Sequence, residues 1–275
     1  VVVKVHDPET DPALLAVRIR IAALPELRGV FLPPEPVPER IRVHLGDRVA
    51  GRVLSAWPAG VPLSPTELDE APWEIGGRLL ARLHTVPVAA LGPALVPGCP
   101  PPPAGAPDRV RRSLDRLHRV APELPETALV TEAYRSLPRW AVGAAADPGQ
   151  VTTPAHGDWH LGQLVRRDGR WHLIDVDDLG LGNPAWDLAR PAAWFATGVL
   201  DPAVWARFLD SYLAAGGPAV PDPTDHWATL DVPARAMVVQ TAAVALAHAQ
   251  EHAEDLDDVA MAFLDGCRRI RSASR

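Results

Sequence analysis

The sequence predicts an α+β fold in which a short β-rich segment precedes a long, mainly helical one. Three observations carry this. Val1–His6 reads VVVKVH, a β-branched run broken by one charge, and two further short β-like runs lie within Arg48–Trp57. Helical patterns dominate from Pro65 onward. Near the middle, a hairpin signal at Arg167-Asp168-Gly169 separates two mixed apolar runs.

Each element has its own reason. Val1–His6 reads as a buried strand carrying Lys4. A helix over Asp11–Leu24 opens on Asp-Pro and takes its apolar residues from Leu14, Leu15, Ile19, Ile21 and Leu24. Four prolines make Val30–Val43 irregular chain and an edge strand. Pro65–Val86 reads as mostly helical, with Glu74, Gly77 and Arg78 on one side and Ile75, Leu79 and Leu83 on the other. His84, at its end, reads as a satisfied histidine rather than a ligand. Leu91–Pro107, centred on PGCPPPPAGAP, reads as a stiff exposed loop.

Amphipathic helices follow over Arg109–Val120 and Thr127–Leu137, the second ended or kinked by Pro138. Arg109, Arg111, Arg112, Arg116 and Arg119 form a basic cluster that a solvated helix face explains. After the hairpin, Pro184 opens a helix over Trp186–Thr197, with Pro191 as a kink point. The remaining helices are Asp201–Ala215, stopped by Gly216-Gly217, then Val232–Glu251 and Leu256–Arg271. The acids Glu251, Glu254, Asp255, Asp257 and Asp258 read as a solvated turn with acids at a helix start.

Composition narrows the function. The 275 residues carry a net charge of −7, which argues against nonspecific nucleic-acid binding. No apolar run of transmembrane length and no secretory signal stands out, so no membrane partner is expected. Cys99 and Cys267 have no zinc-like spacing and read as reduced thiols of a cytoplasmic protein. The chain has no initiator Met and opens directly on a strand, so the sequence is expected to begin inside a longer reading frame. Of its 27 basic residues only Lys4 is a lysine, which singles out a site where a compact ammonium is needed.

The densest set of reactive residues is His156–Ala189, HGDWHLGQLVRRDGRWHLIDVDDLGLGNPAWDLA. Asp158 is followed by Gln163 and, after the hairpin, by Asp175. This spacing is that of the protein-kinase catalytic loop and its metal-binding Asp, with Gly157 for Arg and Gln163 for Asn. In phosphoryl transfer one carboxylate orients the attacking hydroxyl, a role that fits Asp158. A second carboxylate and an amide oxygen hold Mg²⁺, roles that fit Asp175 and Gln163. Kinases also carry a phosphate-binding lysine on a strand, which fits Lys4. A three-residue Arg167–Gly169 loop puts Gln163 opposite Leu173 and Asp175 diagonal to it on the same face. A two-residue Asp168-Gly169 turn puts the two on opposite faces, so the metal reading predicts the longer loop.

HGDWHLGQ, IDVDD and GNPAWDLA together resemble the aminoglycoside phosphotransferase and choline-kinase-like family, with its HGDxHxxN, ID and GxPxxDLA motifs. The resemblance implies a bilobal protein-kinase-like fold: residues 1–57 form a partial N-lobe and 58–275 a helical C-lobe. It implies transfer of phosphate from ATP (or GTP), with Mg²⁺, to a hydroxyl of a small molecule such as an aminoglycoside-like antibiotic, an amino alcohol or a sugar. It implies Asp158 as catalytic base, Asp175 as metal ligand and Lys4 at the α- and β-phosphates. Asp187, with His156 and His160, steadies the catalytic loop. Val53–Trp57 resembles the hinge, whose backbone at Ser55, Ala56 and Trp57 meets the adenine.

The chain also departs from the family pattern. Gln163 offers its amide one methylene further out than Asn, and the HLGQ form is similar to that of maltokinase-type sugar kinases. The Asp11–Leu24 helix has no Glu to pair with Lys4; Val17, Arg18 and Arg20 stand in the corresponding places. The Gly-rich hairpin is absent from these residues. A non-catalytic kinase-like binding protein or partner subunit is therefore the alternative.

Overall fold

The computed structural model describes residues 1–39, 49–64, 71–148 and 151–273. The sequence-based readings at 40–48 and 65–70 lie outside the described residues.

β1 (Val2–Val5) pairs antiparallel with β2 (Leu54–Trp57), with Lys4 opposite Ser55. Between them α1 (Pro12–Ala22) begins where Asp11 accepts hydrogen bonds from the amides of Ala13 (2.8 Å) and Leu14 (3.2 Å), with Pro12 in the first turn. The chain then descends into the core through Leu27, Val30 and Phe31, all buried. There the Leu173 amide donates to the Val30 carbonyl at 2.8 Å, and the Leu32 amide to the Leu173 carbonyl at 3.3 Å. This ties the N-terminal segment to the central hairpin.

β3 (Val61–Pro62) leads into α2 (Trp73–His84), followed by α3 (Ala106–Val120) and α4 (Pro125–Arg135). β4 (Thr153–Ala155) precedes the hairpin of β5 (Leu164–Arg167) and β6 (Arg170–Leu173), and β7 (Gly180–Gly182) comes after it. β3, β5 and β6 form one small sheet; β4 and β7 pair separately. The loop before α3 is not simply exposed, as its proline content suggests. Its Pro102 carbonyl accepts from the Leu181 amide at 2.7 Å, and the Ala104 amide donates to the Leu181 carbonyl at 2.8 Å. The loop can lie this close because Gly180 has no side chain: a Cβ there would stand 2.4 Å from the Pro102 oxygen.

The chain ends in α5 (Ala185–Ala196), α6 (Pro202–Ala214), α7 (Trp227–His252) and α8 (Asp258–Ala273). α7 is the hub, packing against α3, α5 and α8, while α2 packs on α6. Buried Ala234, Ala236, Ala242, Ala243 and Ala247 let its neighbours approach closely. α7 starts five residues earlier than its pattern suggests and runs through Pro233. It is long and apolar enough to cross a membrane, contrary to the reading that no such run exists, but 67% of its most apolar window is buried within the protein. Of the acids near its end, Glu251 still lies within α7 and pairs with Arg116, and Asp257 accepts from the Ala260 amide at 2.7 Å at the start of α8.

Candidate active site

The loop after β4 carries His156, Gly157 and Asp158, and its shape is set from α5. Asp187, wholly buried in the first turn of α5, accepts from the His156 amide at 2.6 Å and the Gly157 amide at 2.8 Å. Gly157 has φ +82°, and a Cβ there would stand 2.3 Å from the Asp178 carbonyl, so only glycine fits. The His84 ring meets Asp187 at 2.9 Å through Nε2 and the Tyr212 hydroxyl at 2.9 Å through Nδ1; that hydroxyl accepts from the Ala219 amide at 2.9 Å. A consistent donor order runs Ala219, Tyr212, His84, Asp187, and every group in it has a partner. Burial by itself raises the Asp187 pKa. The His84 hydrogen bond, the neighbouring histidines and the His156 amide outweigh it and hold the carboxyl below its ordinary value.

Asp158 projects into a cavity of about 400 Å³ whose wall includes Trp73, Arg109, His160, Arg190, Trp194 and Gln240. Two guanidiniums clamp it: Arg109 Nη2 at 2.7 Å and Arg190 Nη2 at 3.0 Å. Arg109 also reaches Asp178 at 2.7 Å with its other terminal nitrogen. Burial raises the Asp158 pKa more than the two arginines lower it. His160 is pushed the other way, down to about 4, by burial and then by Arg190, His156 and Arg109, so it is neutral near pH 7. Its Nδ1 accepts from the Gly162 amide at 3.1 Å.

A second cavity, of about 540 Å³, is lined by the segment 174–177. Its wall includes Val3, Lys4, Leu32, Trp57, Asp175 and Asp177. Lys4 Nζ sits between Asp175 Oδ1 (2.8 Å) and Asp177 Oδ2 (2.9 Å). Burial lowers the Lys4 pKa, and the two carboxylates reverse this to a net rise. Asp177 is lowered to about 2; burial raises it, and hydrogen bonds from His6 and Lys4 outweigh that. Asp175 has φ +63°, a left-handed conformation that aspartate adopts more readily than most non-glycine residues and that breaks the side-to-side alternation of a strand at this position. Arg18 of α1, which stands where the family pattern has a glutamate, donates to the carbonyls of Asp177 and, at 3.0 Å, Leu179, and so fastens this loop.

The expected hairpin geometry needs correction. β5 and β6 pair Arg167 with Arg170, so the turn is the two-residue Asp168-Gly169, with φ +49° and +74°. Both residues accept positive φ, which gives the turn whose twist matches the strands. Gln163 therefore lies opposite Ile174, whose amide donates to the Gln163 carbonyl at 3.0 Å, not opposite Leu173. The diagonal argument for Gln163 and Asp175 fails, and the left-handed backbone at Asp175 sets its direction instead.

The structure brings some of the expected site residues to one cavity and keeps others apart. Lys4, Trp57 and Asp175 share the larger cavity and Asp158 lines the smaller; His160 joins Asp158, and His156 supports the loop through Nε2, 2.9 Å from the Ile174 carbonyl. Gln163 is buried and lines neither cavity. Ser55 and Ala56 also stand behind the wall. The Ser55 hydroxyl meets His6 Nε2 at 2.7 Å and the Trp57 indole nitrogen at 3.0 Å, and the Ala56 carbonyl accepts from the Glu35 amide at 2.8 Å.

Sequence reasoning missed Arg109, Arg190 and Asp177. Arg190 lies three residues after Asp187 on one helix, a spacing that could have signalled it. Arg109 was assigned to a solvated face, but its side chain turns inward to two aspartates. Among the described residues no group of three His, Cys, Asp or Glu side chains is gathered to hold a metal. The donor set of Asp175 and Asp177 still suits a hard cation. It is all oxygen, and the buried Asp177 Oδ1 has no hydrogen-bond partner among the described residues.

The sequence profile of the phosphotransferase enzyme family matches residues 1–232. No curated protein sequence matches the chain. Among solved structures, choline kinase from Cryptosporidium parvum is 10% identical, aligned over 98% of this chain and 80% of its own, with a TM-score of 0.61. A thermostable mutant of aminoglycoside phosphotransferase APH(4)-Ia, in ternary complex with AMP-PNP and hygromycin B, is 14% identical over 98% and 85%, with a TM-score of 0.55. A choline/ethanolamine kinase family protein from Mesorhizobium loti is 18% identical over 99% and 81%, with a TM-score of 0.52. At these identities the likeness establishes a bilobal kinase-like fold.

Proposed function

The chain belongs to the phosphotransferase enzyme family, and on that premise we propose that it moves the γ-phosphate of ATP or GTP to a hydroxyl of a small molecule, with Asp158 orienting that hydroxyl and taking its proton. One observation carries this reading. Asp158 and the Asp175–Asp177 pair stand on two loop segments, 156–158 and 174–178, that touch where Gly157 meets the Asp178 carbonyl and where Arg109 bridges Asp158 and Asp178, although the two groups open on separate cavities.

The larger cavity suits a nucleotide. Val2, Val3, Leu32, Trp57, Val165 and Ile174 offer apolar walls to a base, and the Lys4 ammonium is placed for its phosphates. Asp175 and Asp177 are the residues to hold Mg²⁺, which when bound neutralises phosphate charge. Gln163 is proposed as a further amide donor. Lys4 on the larger cavity, and Arg109 and Arg190 on the smaller, are the positive charges available to a transferring phosphoryl group, and prearranged charge supplies most of the rate in this chemistry. The two arginines also hold the Asp158 carboxylate in a single orientation. Burial, which raises the Asp158 pKa more than the two arginines lower it, makes the carboxylate a stronger proton acceptor than an ordinary aspartate.

The test is calorimetric binding of ATP and GTP with and without Mg²⁺, followed by nucleoside-diphosphate release against a panel of hydroxylated small molecules. Arg18 in place of a glutamate supports a second reading, a nucleotide-binding protein without turnover. Nucleotide affinity with no diphosphate release from any acceptor would favour it.

A further inference from the structure

The ribbon of β1 and β2 puts Lys4, His6, Ser55 and Trp57 on a single face. Side chains two apart along a strand share a face, and the register sets Lys4 opposite Ser55. His6 lies one residue beyond β1 but continues its pairing. Its amide donates to the Val53 carbonyl at 3.0 Å, and its carbonyl accepts from Arg52 Nε at 2.7 Å. With its ring buried as well, His6 is a fixed post beside Lys4.

Hydrogen bonds run along this face to the loop that carries Asp175 and Asp177. The Trp57 indole nitrogen can only donate, so Ser55 Oγ accepts from it at 3.0 Å. Ser55 gives its own proton to His6 Nε2 at 2.7 Å. The neutral imidazole then keeps its proton on Nδ1, 3.3 Å from Asp177 Oδ2, a carboxylate oxygen that accepts. One proton serves each contact in the order Trp57, Ser55, His6, Asp177, and that order assigns the His6 tautomer. The same Asp177 oxygen takes Lys4 at 2.9 Å.

The two carboxylates on Lys4 are therefore not equivalent. Asp175, at 2.8 Å, is otherwise met within its own loop, by the Asp177 amide at 3.3 Å. Asp177 is gripped from the ribbon that carries Lys4. α1 offers no carboxylate: PALLAVRIRIA contains no acid, and Arg18 is engaged by the carbonyls of Asp177, Leu179 and, at 3.2 Å, Pro103. Protein kinases hold the phosphate-binding lysine with a glutamate from such a helix.

We propose that Asp177, gripped by His6, holds the Lys4 ammonium at the phosphates in place of a helix glutamate. His6 does not line the larger cavity, so it is a positioning residue that acts through Asp177. The proposal rests on reading that cavity as the nucleotide site. This role is separate from a part for Asp177 at a divalent cation, and leaving the cation out tells the two apart.

The test uses the whole chain. ATP affinity is measured by calorimetry in EDTA and in Mg²⁺, and the rate of Lys4 acylation is measured without nucleotide. His6→Leu should weaken ATP about threefold to tenfold in both buffers, the worth of one hydrogen bond to a charged group, and should speed acylation of the released ammonium. His6→Asn, whose amide nitrogen takes the place of Nδ1, should restore most of both. Asp177→Asn should weaken ATP in EDTA too, and adding His6→Leu to it should cost little more, because the two act as one unit. Denaturant midpoints check folding, and Asp177→Asn in EDTA decides the matter if His6→Leu does not fold. Parental ATP affinity and acylation in folded His6→Leu, no recovery in His6→Asn, additive losses in the double variant, or an Asp177→Asn loss confined to Mg²⁺ would each overturn the proposal. A parent chain that binds no ATP counts against the nucleotide reading instead, and faster acylation in His6→Leu would still support Asp177 as the anchor of Lys4.

Discussion

Lys4 Nζ lies 2.8 Å from Asp175 Oδ1, joining two residues 171 positions apart in the sequence. This contact brings the first strand and the end of the central hairpin to one cavity, and it shares Lys4 with Asp177. Because Lys4 is the only lysine of the 275 residues, it can be followed chemically. An amine-directed acylating reagent should modify Lys4 and the α-amino group alone, and saturating ATP with Mg²⁺ should protect Lys4. Lys4→Met should weaken nucleotide binding by about tenfold to a hundredfold, the worth of one charge-assisted contact. Mass-spectrometric mapping and calorimetry read the two effects. Equal labelling with and without nucleotide would remove Lys4 from the nucleotide site.

The second prediction concerns Asp158 and its two arginines. Asp158→Asn should lower kcat by about 10²–10⁴-fold, the range for losing a general base, with nucleotide affinity nearly intact. The ionised carboxylate is the working form. Since burial places its pKa above the ordinary aspartate value, the acidic limb of kcat/KM should lie above pH 3.8. Arg109→Gln removes a charge that lowers this pKa, so it should move the limb to still higher pH. A limb that stays in place in the variant would show that Arg109 does not act on Asp158.

Asp187 supports a third prediction. It is wholly buried and accepts from His84 and from the amides of His156 and Gly157. Asp187→Ala leaves those donors unpaired in a dry interior and should destabilise the protein by about 3–5 kcal/mol. Asp187→Asn keeps one acceptor oxygen and should cost less. Urea midpoints separate the two. Equal midpoints for Asp187→Ala and the parent would mean that the loop is held by something else.

The order and type of the helices were legible because periodicity, Asp-Pro starts and Gly stops act locally, as at α6 between Asp201 and Gly216. The acid positions of the site were legible because Asp158 and Asp175 sit in short motifs whose spacing the chemistry demands. The rest depends on long-range contacts. Nothing local to Arg109 says that it bends toward Asp158 and Asp178 rather than into solvent. Nothing local to Ala56 says that its carbonyl is taken by Glu35. The hairpin was misjudged for a physical reason: Asp168 tolerates a positive φ, which permits the tighter turn and shifts the register by one residue.

His160 gives the fourth prediction, in stability rather than rate. Its pKa falls from the ordinary 6.5 to about 4 in the folded protein because charging it means burying a cation beside Arg190, His156 and Arg109. Between those values the unfolded chain binds a proton that the folded one refuses, so the unfolded state gains as pH falls. The folded state should therefore be most favoured, as far as His160 is concerned, above pH 6.5, and should lose stability progressively down to about pH 4, where the effect levels off. The full span is on the order of 3 kcal/mol. Asp177, whose pKa is lowered to about 2, adds a loss of the same sign only at lower pH, between its unfolded value of 3.8 and 2. Asp158, raised by burial, acts in the opposite sense in the acid range. The His160 share is isolated by comparing denaturant midpoints of the parent and His160→Asn at pH 7.5 and pH 5. Asn cannot take up a proton, so the variant should lose markedly less stability across that interval. An identical loss in both proteins would place the titrating group elsewhere.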